Sequence, residues 1–189
     1  MDLQNKGLLS KFVDKLLQPP ATNWQKWFHR MYGEGASRDL GDAHHLDTAI
    51  WTTLRQLLPG FRSCTKIHLG NGQFTSFWFD HWIGSQPLAT MFPALLSFCP
   101  RPNISVSHAY HQGQWMLPLH SRLSSVDSSQ WEMIQLALTN VTLSPDVPDR
   151  RGIGADLRPF SSRAFYLWHM EQKPADDFSG CIWSSAAIP

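Results

Sequence analysis

The stretch from residue 65 to residue 82, TKIHLGNGQFTSFWFDHW, constrains this chain more than any other. Thr65, Ile67 and Leu69 alternate with Lys66 and His68, the period of a strand with one buried face. Gly70, Asn71 and Gly72 accept positive φ, so the chain can reverse there. Phe74, Ser76 and Trp78 then alternate with Thr75, Phe77 and Phe79, which reads as a second, aromatic strand. The expectation is a β-hairpin in which one strand is apolar on both faces. An isolated hairpin is marginal, so it must lie on a helix or a neighbour.

Helices are legible on the N-terminal side. Leu8, Leu9, Phe12, Val13, Leu16 and Leu17 recur at helical spacing before Pro19-Pro20. Trp24, Trp27, Phe28 and Met31 form a second stripe, with Asn23 as its N-cap and Gly33 and Gly35 as its stop. The two stripes are more apolar than two helices need for each other, which implies something larger packed on them. After a polar loop over residues 34–45, Asp47 or Thr48 caps a third helix carrying Ile50, Trp51, Leu54, Leu57 and Leu58, ended by Pro59-Gly60.

Beyond Gly84 the chain is Pro-rich, with a helical turn over residues 91–96, a short helix over 105–111 and a short strand over 114–117. Ser129 and Glu132 fit a capping box that opens a helix bearing Ile134, Leu136 and Leu138. Residues 141–143 read as a strand and residues 144–158 as a linker. Ser161 or Ser162 caps a last helix with Phe165, Leu167 and Trp168. The fold class that follows is α+β. It is a small, mainly helical domain with one aromatic β-hairpin, a Pro-rich irregular middle and a partly disordered C-terminal part.

Composition excludes several functions. Charged residues are 16% of the chain, against roughly a quarter in ordinary soluble domains, and the net charge is +1. A nucleic-acid binder normally carries a basic stripe; the one short basic cluster here is Arg150, Arg151 and Arg158. Cys64, Cys99 and Cys181 are far apart and odd in number, which argues against a disulfide framework or a thiolate metal site. No signal peptide opens the chain and no apolar run reaches the ~20 residues of a membrane span. A cytoplasmic or nuclear location follows by default. Nine Trp and eleven Phe imply an aromatic core, or alternatively stacking platforms for bases.

Residues 69–82, with Gly70, Gly72, Phe77, Trp78, Asp80 and Trp82 as the carriers, resemble a segment of plant non-LTR retrotransposon polyproteins. That segment follows the reverse transcriptase domain and precedes the reverse-transcriptase zinc-binding domain. Other pieces are similar in the same order: residues 2–9, 51–61, 87–95, 160–166 and 181–189. The resemblance covers nearly the whole chain. It implies four stretches: a helical hairpin closing the polymerase-associated region over 1–33, a helix and aromatic hairpin over 34–102, a spacer with one helix over 103–158, and a truncated start of the zinc-binding region over 159–189. It also implies that the polymerase Asp pair lies upstream of Met1 and the zinc ligands lie downstream of Pro189. The expected function is then a non-catalytic fragment with a heritage in RNA-templated DNA synthesis. Its partners would be the polymerase and zinc-binding domains of the parent, with RNA or DNA bound weakly if at all.

Constellations that could carry chemistry are weak. Asp176-Asp177 lacks the apolar strands and third acid of a two-metal site. His44-His45 with Asp42 and Asp47 is the best metal-like cluster, yet it also reads as a polar loop with helix-capping residues. Asp80-His81 could be an acid–base dyad, but neighbours on a strand face opposite sides. Cys64 near Lys66 and His68 reads as a buried strand cysteine. No catalytic, cofactor-binding or metal residue is expected. The alternative function is a nucleic-acid-binding module that uses Trp side chains with Arg150, Arg151 and Arg158.

Overall fold

The computed structural model describes residues 3–39, 47–122 and 124–172. Among them are eight helices and four short strands: α1 (Leu3–Leu16), α2 (Asn23–Asp39), α3 (Ala49–Cys64), β1 (Thr65–His68), α4 (Leu88–Met91), α5 (Pro93–Ser97), α6 (Val106–Ala109), β2 (Tyr110–His111), β3 (Gln114–Trp115), α7 (Ser125–Leu138), β4 (Arg150–Ile153) and α8 (Ser162–Glu171). The α+β class holds. The strands form two separate two-stranded antiparallel sheets, β1 with β4 and β2 with β3.

The hairpin expected over residues 65–79 does not form. β1 is a strand, but its partner is β4, with Ile67 opposite Arg151 and Thr65 opposite Ile153. Residues 74–79 fold instead into turns. Their backbone pairs with the entry to α6, through Phe77 N–H to Ile104 C=O at 2.9 Å and Val106 N–H to Thr75 C=O at 3.0 Å. A strand apolar on both faces needs cover on both, and beside β1 it would find cover on one. Turned away, Phe77 and Trp78 are both fully buried. The aromatic hairpin of the fold is the small one from β2 to β3, where Tyr110 packs on Trp115.

Two helix ends also differ from expectation. α2 runs through Gly33 and Gly35 to Asp39; a helical glycine costs only about 1 kcal/mol, too little to end a helix by itself. α3 runs through Pro59 and Gly60 to Cys64. An interior proline costs about 3 kcal/mol, but the continuation buries Phe61 and Cys64, and Phe61 meets Phe160 at 5.2 Å between ring centroids. Burying such a side chain stabilises by about 1.5–3 kcal/mol. At the start of α2, Thr22 rather than Asn23 holds the cap, its N–H donating to Gln25 Oε1 at 2.9 Å. Thr48 caps α3 and Ser161 caps α8, as the sequence suggests. The capping box of α7 is Ser124 with Asp127, not Ser129 with Glu132. Residues 141–143 are not a strand, and the expected linker contains β4.

Two main cores result. Val13, Leu16 and Leu17 of α1 and its exit meet Phe28 of α2 and Leu54, Leu58 and Phe61 of α3. Phe77 and Trp78 meet Leu88, Leu95, Val106, Ile134 and Leu138 from four helices. A smaller cluster of Cys64, Ile153 and Phe165 ties α8 to β4 and to the end of α3. The four stretches implied by the resemblance therefore do not divide the packing. The first core spans residues 13–61, the second spans 77–138, and β1 pairs with β4 outside both.

Candidate functional site: a motif held by two aspartates

The motif residues 69–82 wrap around two carboxylates. The first is Asp80, which is 1% exposed. Arg151 donates to it from both ends of its guanidinium, Nη1 to Oδ1 at 3.0 Å and Nη2 to Oδ2 at 2.9 Å. This two-pronged fit is the strongest form of a charged hydrogen bond. Arg62 Nε adds a contact to Oδ1 at 3.3 Å, and Ser76 N–H donates to Oδ2 at 2.8 Å. Burial alone pushes a carboxyl up, but the charges of Arg151 and Arg62 and these hydrogen bonds outweigh it, so Asp80 is held below the usual carboxylate range. Both arginines also lie over rings, Arg62 over Phe79 and Arg151 over Phe61.

The second carboxylate is Asp149. Its Oδ1 accepts from Gly70 N–H and Gly72 N–H, each at 2.8 Å. Its Oδ2 accepts from Phe74 N–H at 3.3 Å and from Thr75 Oγ1–H at 2.7 Å. Backbone N–H groups of alternate residues, 70, 72 and 74, converge on one anion. Here the anion is the chain's own side chain. The glycines are required for this approach. A Cβ on Gly70 would stand 2.2 Å from the Val147 carbonyl oxygen, and Gly72 has φ +70° with Ser107 N 2.9 Å from where its Cβ would be.

The aromatic members complete the unit. Trp82 Nε1–H donates to the Phe77 carbonyl at 2.9 Å, and its ring stacks on Trp115 at 6.0 Å. Phe77 touches Trp78, Trp82 and Trp115. An open cleft of about 380 Å³ lies beside Asp149, bounded by Leu17, Pro19, Phe74, Asp149, Arg151 and Leu157 among others. Of its polar side chains, Asp149 and Thr75 are bonded to each other, Gln18 to Asp14 and Arg151 to Asp80.

The arginine cluster read from sequence is broken up. Arg151 is turned inward, its side chain 4% exposed. Arg150 is exposed at the start of β4, and Arg158 is exposed and 3.9 Å from Glu171. A phosphate backbone could meet the last two but not Arg151. The Asp80-His81 pair is likewise divided: Asp80 faces its arginines, whereas His81 Nε2 lies 3.1 Å from the Gly84 carbonyl oxygen. Asp47 pairs with Arg55 at 2.5 Å; Asp42, His44 and His45 lie outside the described residues, as do Asp176, Asp177 and Cys181. Among the described residues, no group of three or more His, Cys, Asp or Glu could hold a metal ion. Cys64 is buried at the end of α3, not in a strand, and burial pushes its thiol up to about 12. No described helix is long and apolar enough to cross a membrane.

Sequence reasoning missed Asp149 and both arginine partners of Asp80. The pairs are 71 to 79 residues apart for Arg151 and Asp149, and no local spacing announces such contacts. No family model, curated protein or solved structure matches the chain.

Proposed function

We propose that the chain is a non-catalytic segment of a plant non-LTR retrotransposon polyprotein, of the kind that joins a reverse transcriptase core to a zinc-binding tail. In this reading the 69–82 motif serves folding. One observation supports it: the six residues that carry the resemblance of the 69–82 motif are all engaged in the architecture. Gly70 and Gly72 cradle Asp149, Asp80 binds Arg151, Phe77 and Trp78 are buried, and Trp82 is tied to the Phe77 carbonyl. A catalytic motif would leave at least one group turned toward a cleft with hydrogen-bond reach to a substrate.

Sequencing the gene on both sides tests the heritage. The expected result is a frame with an aromatic-x-Asp-Asp motif upstream and Cys/His pairs downstream, intact or interrupted. An unrelated gene structure on both sides would overturn it. Primer extension on an RNA template with Mg²⁺, using the purified chain, tests the lack of catalysis separately. No incorporation is expected, and template-dependent incorporation lost in Asp80→Asn would refute the folding role of the motif.

A further inference from the structure

The outer face of the N-terminal helices is unlike the rest of the molecule. Leu8 and Phe12 on α1 are four residues apart, Trp24, Trp27 and Met31 on α2 are spaced by three and four, and Ile50 opens α3. All six are exposed, with Trp27 at 59%, Met31 at 63% and Ile50 at 67%. Spacings of three and four put such side chains on one helix face. Phe12 and Trp24 touch edge to face at 6.2 Å. Between them and the α2–α3 contact lies an open cleft of about 290 Å³, walled by Phe12, Trp24, Trp27, Phe28, Trp51 and Leu54. Exposed aromatic residues and methionine around a cleft are the composition of an interface centre, not of ordinary surface.

The charge on the same hairpin is predominantly positive. Residues 3–39 contain Lys6, Lys11, Lys15, Lys26, Arg30 and Arg38 against Asp14, Glu34 and Asp39, so they carry +3 while the whole chain carries +1. Lys11 and Lys15 stand three residues from Leu8 and Phe12, and Arg30 stands three from Trp27, which sets these cations at the rim of the apolar face. Lys11, Lys15 and Arg30 are exposed. Asp14 is partly buried, is hydrogen-bonded to Gln18 at 2.8 Å and interacts with the charge of Lys15, so it offsets only part of that rim.

We infer that this face docks an acidic amphipathic helix from a partner protein, its apolar stripe in the Phe12–Trp24–Trp27 cleft and its carboxylates on Lys11, Lys15 and Arg30. The lining of the cleft decides between occupants. Its one hydroxyl, Thr48 Oγ1, already accepts from Trp51 N–H at 3.3 Å. The lining side chains offer at most the Thr48 hydroxyl and indole N–H groups, so a nucleobase buried there would leave most of its acceptor and donor edge unmatched, which costs free energy, whereas Leu or Phe side chains lose nothing. A second copy of the chain, docking face to face about a two-fold axis, would set cations against cations. An amphipathic helix presents apolar residues at the spacing such a groove reads. The inference rests on this face alone and stands whether or not the retrotransposon reading holds.

The test is selection from a displayed library of helix-favouring peptides, each about 16 residues long, on the full chain. The expected pool is acidic, with apolar residues at i, i+3 or i+4, and i+7. Affinity of a selected peptide should fall about tenfold or more in Trp27→Ser. It should fall about fivefold in the Lys11→Glu, Lys15→Glu double variant, and it should not change in Leu136→Ser, an exposed position on α7. Thermal melts establish that each variant is folded, and the charge-reversal variant keeps the test valid if Trp27→Ser is not. An absent or basic pool, or binding that survives both variants, overturns the proposal. So does salt-sensitive binding of an oligouridylate lost in Trp27→Ser, which would make single-stranded nucleic acid the occupant, or self-association lost in that variant, which would make it a second copy.

Discussion

The interior around Asp80 and Asp149 and the outer face of α1 and α2 are opposite uses of similar residue types. In the interior, Trp78 and Phe77 are fully buried, Trp82 is hydrogen-bonded, and each carboxylate has its complement of donors. On the outer face, Trp24, Trp27 and Phe12 stand in solvent and the cations of α1 and α2 outnumber the acids of the same helices six to three. The first region answers its own polar groups apart from the buried Trp78 Nε1–H; the second is open to contact from outside. An aromatic residue in this chain therefore says little by itself, and its hydrogen bonds and neighbours decide whether it belongs to the fold or to a contact.

The largest expected effect lies in the interior network that holds the motif. Asp80→Ala leaves Arg151 charged, buried and without its main partner, and it should destabilise the chain by about 3–5 kcal/mol in urea unfolding. Replacing both partners, Asp80→Ala with Arg151→Met, should recover part of that loss, because no unpaired charge is then left in the core. If the double variant is as unstable as the sum of the singles, the two residues do not act as a pair.

Next in size is the Asp149 cradle. Asp149→Ala removes an acceptor for three backbone N–H groups and the Thr75 hydroxyl. Hydrogen bonds to a charged group contribute about 1.5–3 kcal/mol, and the donors left behind are partly buried. The expected loss is about 2–3 kcal/mol, seen in the same unfolding experiment. Hydrogen exchange should show its centre at Gly70 and Gly72 rather than in α1 or α2.

Acid should act on the same interior. Asp80 has a folded pKa below its ordinary value near 3.8, so its contribution is fully present above about pH 4 and is lost as the pH falls through the lower folded value. Asp14 has the opposite sign. Burial raises its carboxyl, against the hydrogen bond from Gln18 and the charges of Arg151 and Lys15. Ionised Asp14 therefore costs stability at neutral pH, and that cost disappears as the pH falls through its raised folded value. Unfolding free energy measured from pH 7 to pH 2 should fall most steeply below pH 4. In Asp14→Asn the neutral plateau should be higher and the partial compensation on acidification absent. A profile that falls mainly between pH 7 and pH 5 would assign the sensitivity to other groups.

The helices were legible because their signal is local. Val13, Leu16 and Leu17, or Leu54 and Leu58, repeat within one element, and Thr48 and Ser161 cap as their chemistry allows. The strand β1 was legible for the same reason. Its partner was not, because β4 (Arg150–Ile153) lies in a stretch whose Pro, Asp and Arg composition reads as a linker, and it pairs across more than eighty residues at Thr65 and Ile153. Residues 74–79 misled because alternation of Phe and Trp is also what a doubly buried turn shows. For the site, the motif positions Gly70, Gly72, Asp80 and Trp82 were visible, but their partners Asp149, Arg151 and Arg62 were set by tertiary structure alone. The apolar excess on α1 and α2 was readable as a stripe; that it stays exposed required the packing.

The smallest predicted effect sharpens the comparison most. Trp27→Ala deletes one of the largest side chains in the sequence, and in a core such a deletion costs about 3–5 kcal/mol. Trp27 is 59% exposed and shares its cleft with Phe12, Trp24 and Trp51. Its removal should change the unfolding free energy by no more than about 0.5 kcal/mol, the range of surface substitutions, and leave the m-value unchanged. Trp78→Ala, fully buried among Phe77 and its neighbours, should show the full core cost in the same assay. If instead Trp27→Ala destabilises as Trp78→Ala does, the outer face is part of the fold's own core, and the contrast between an answered interior and an unanswered surface is lost.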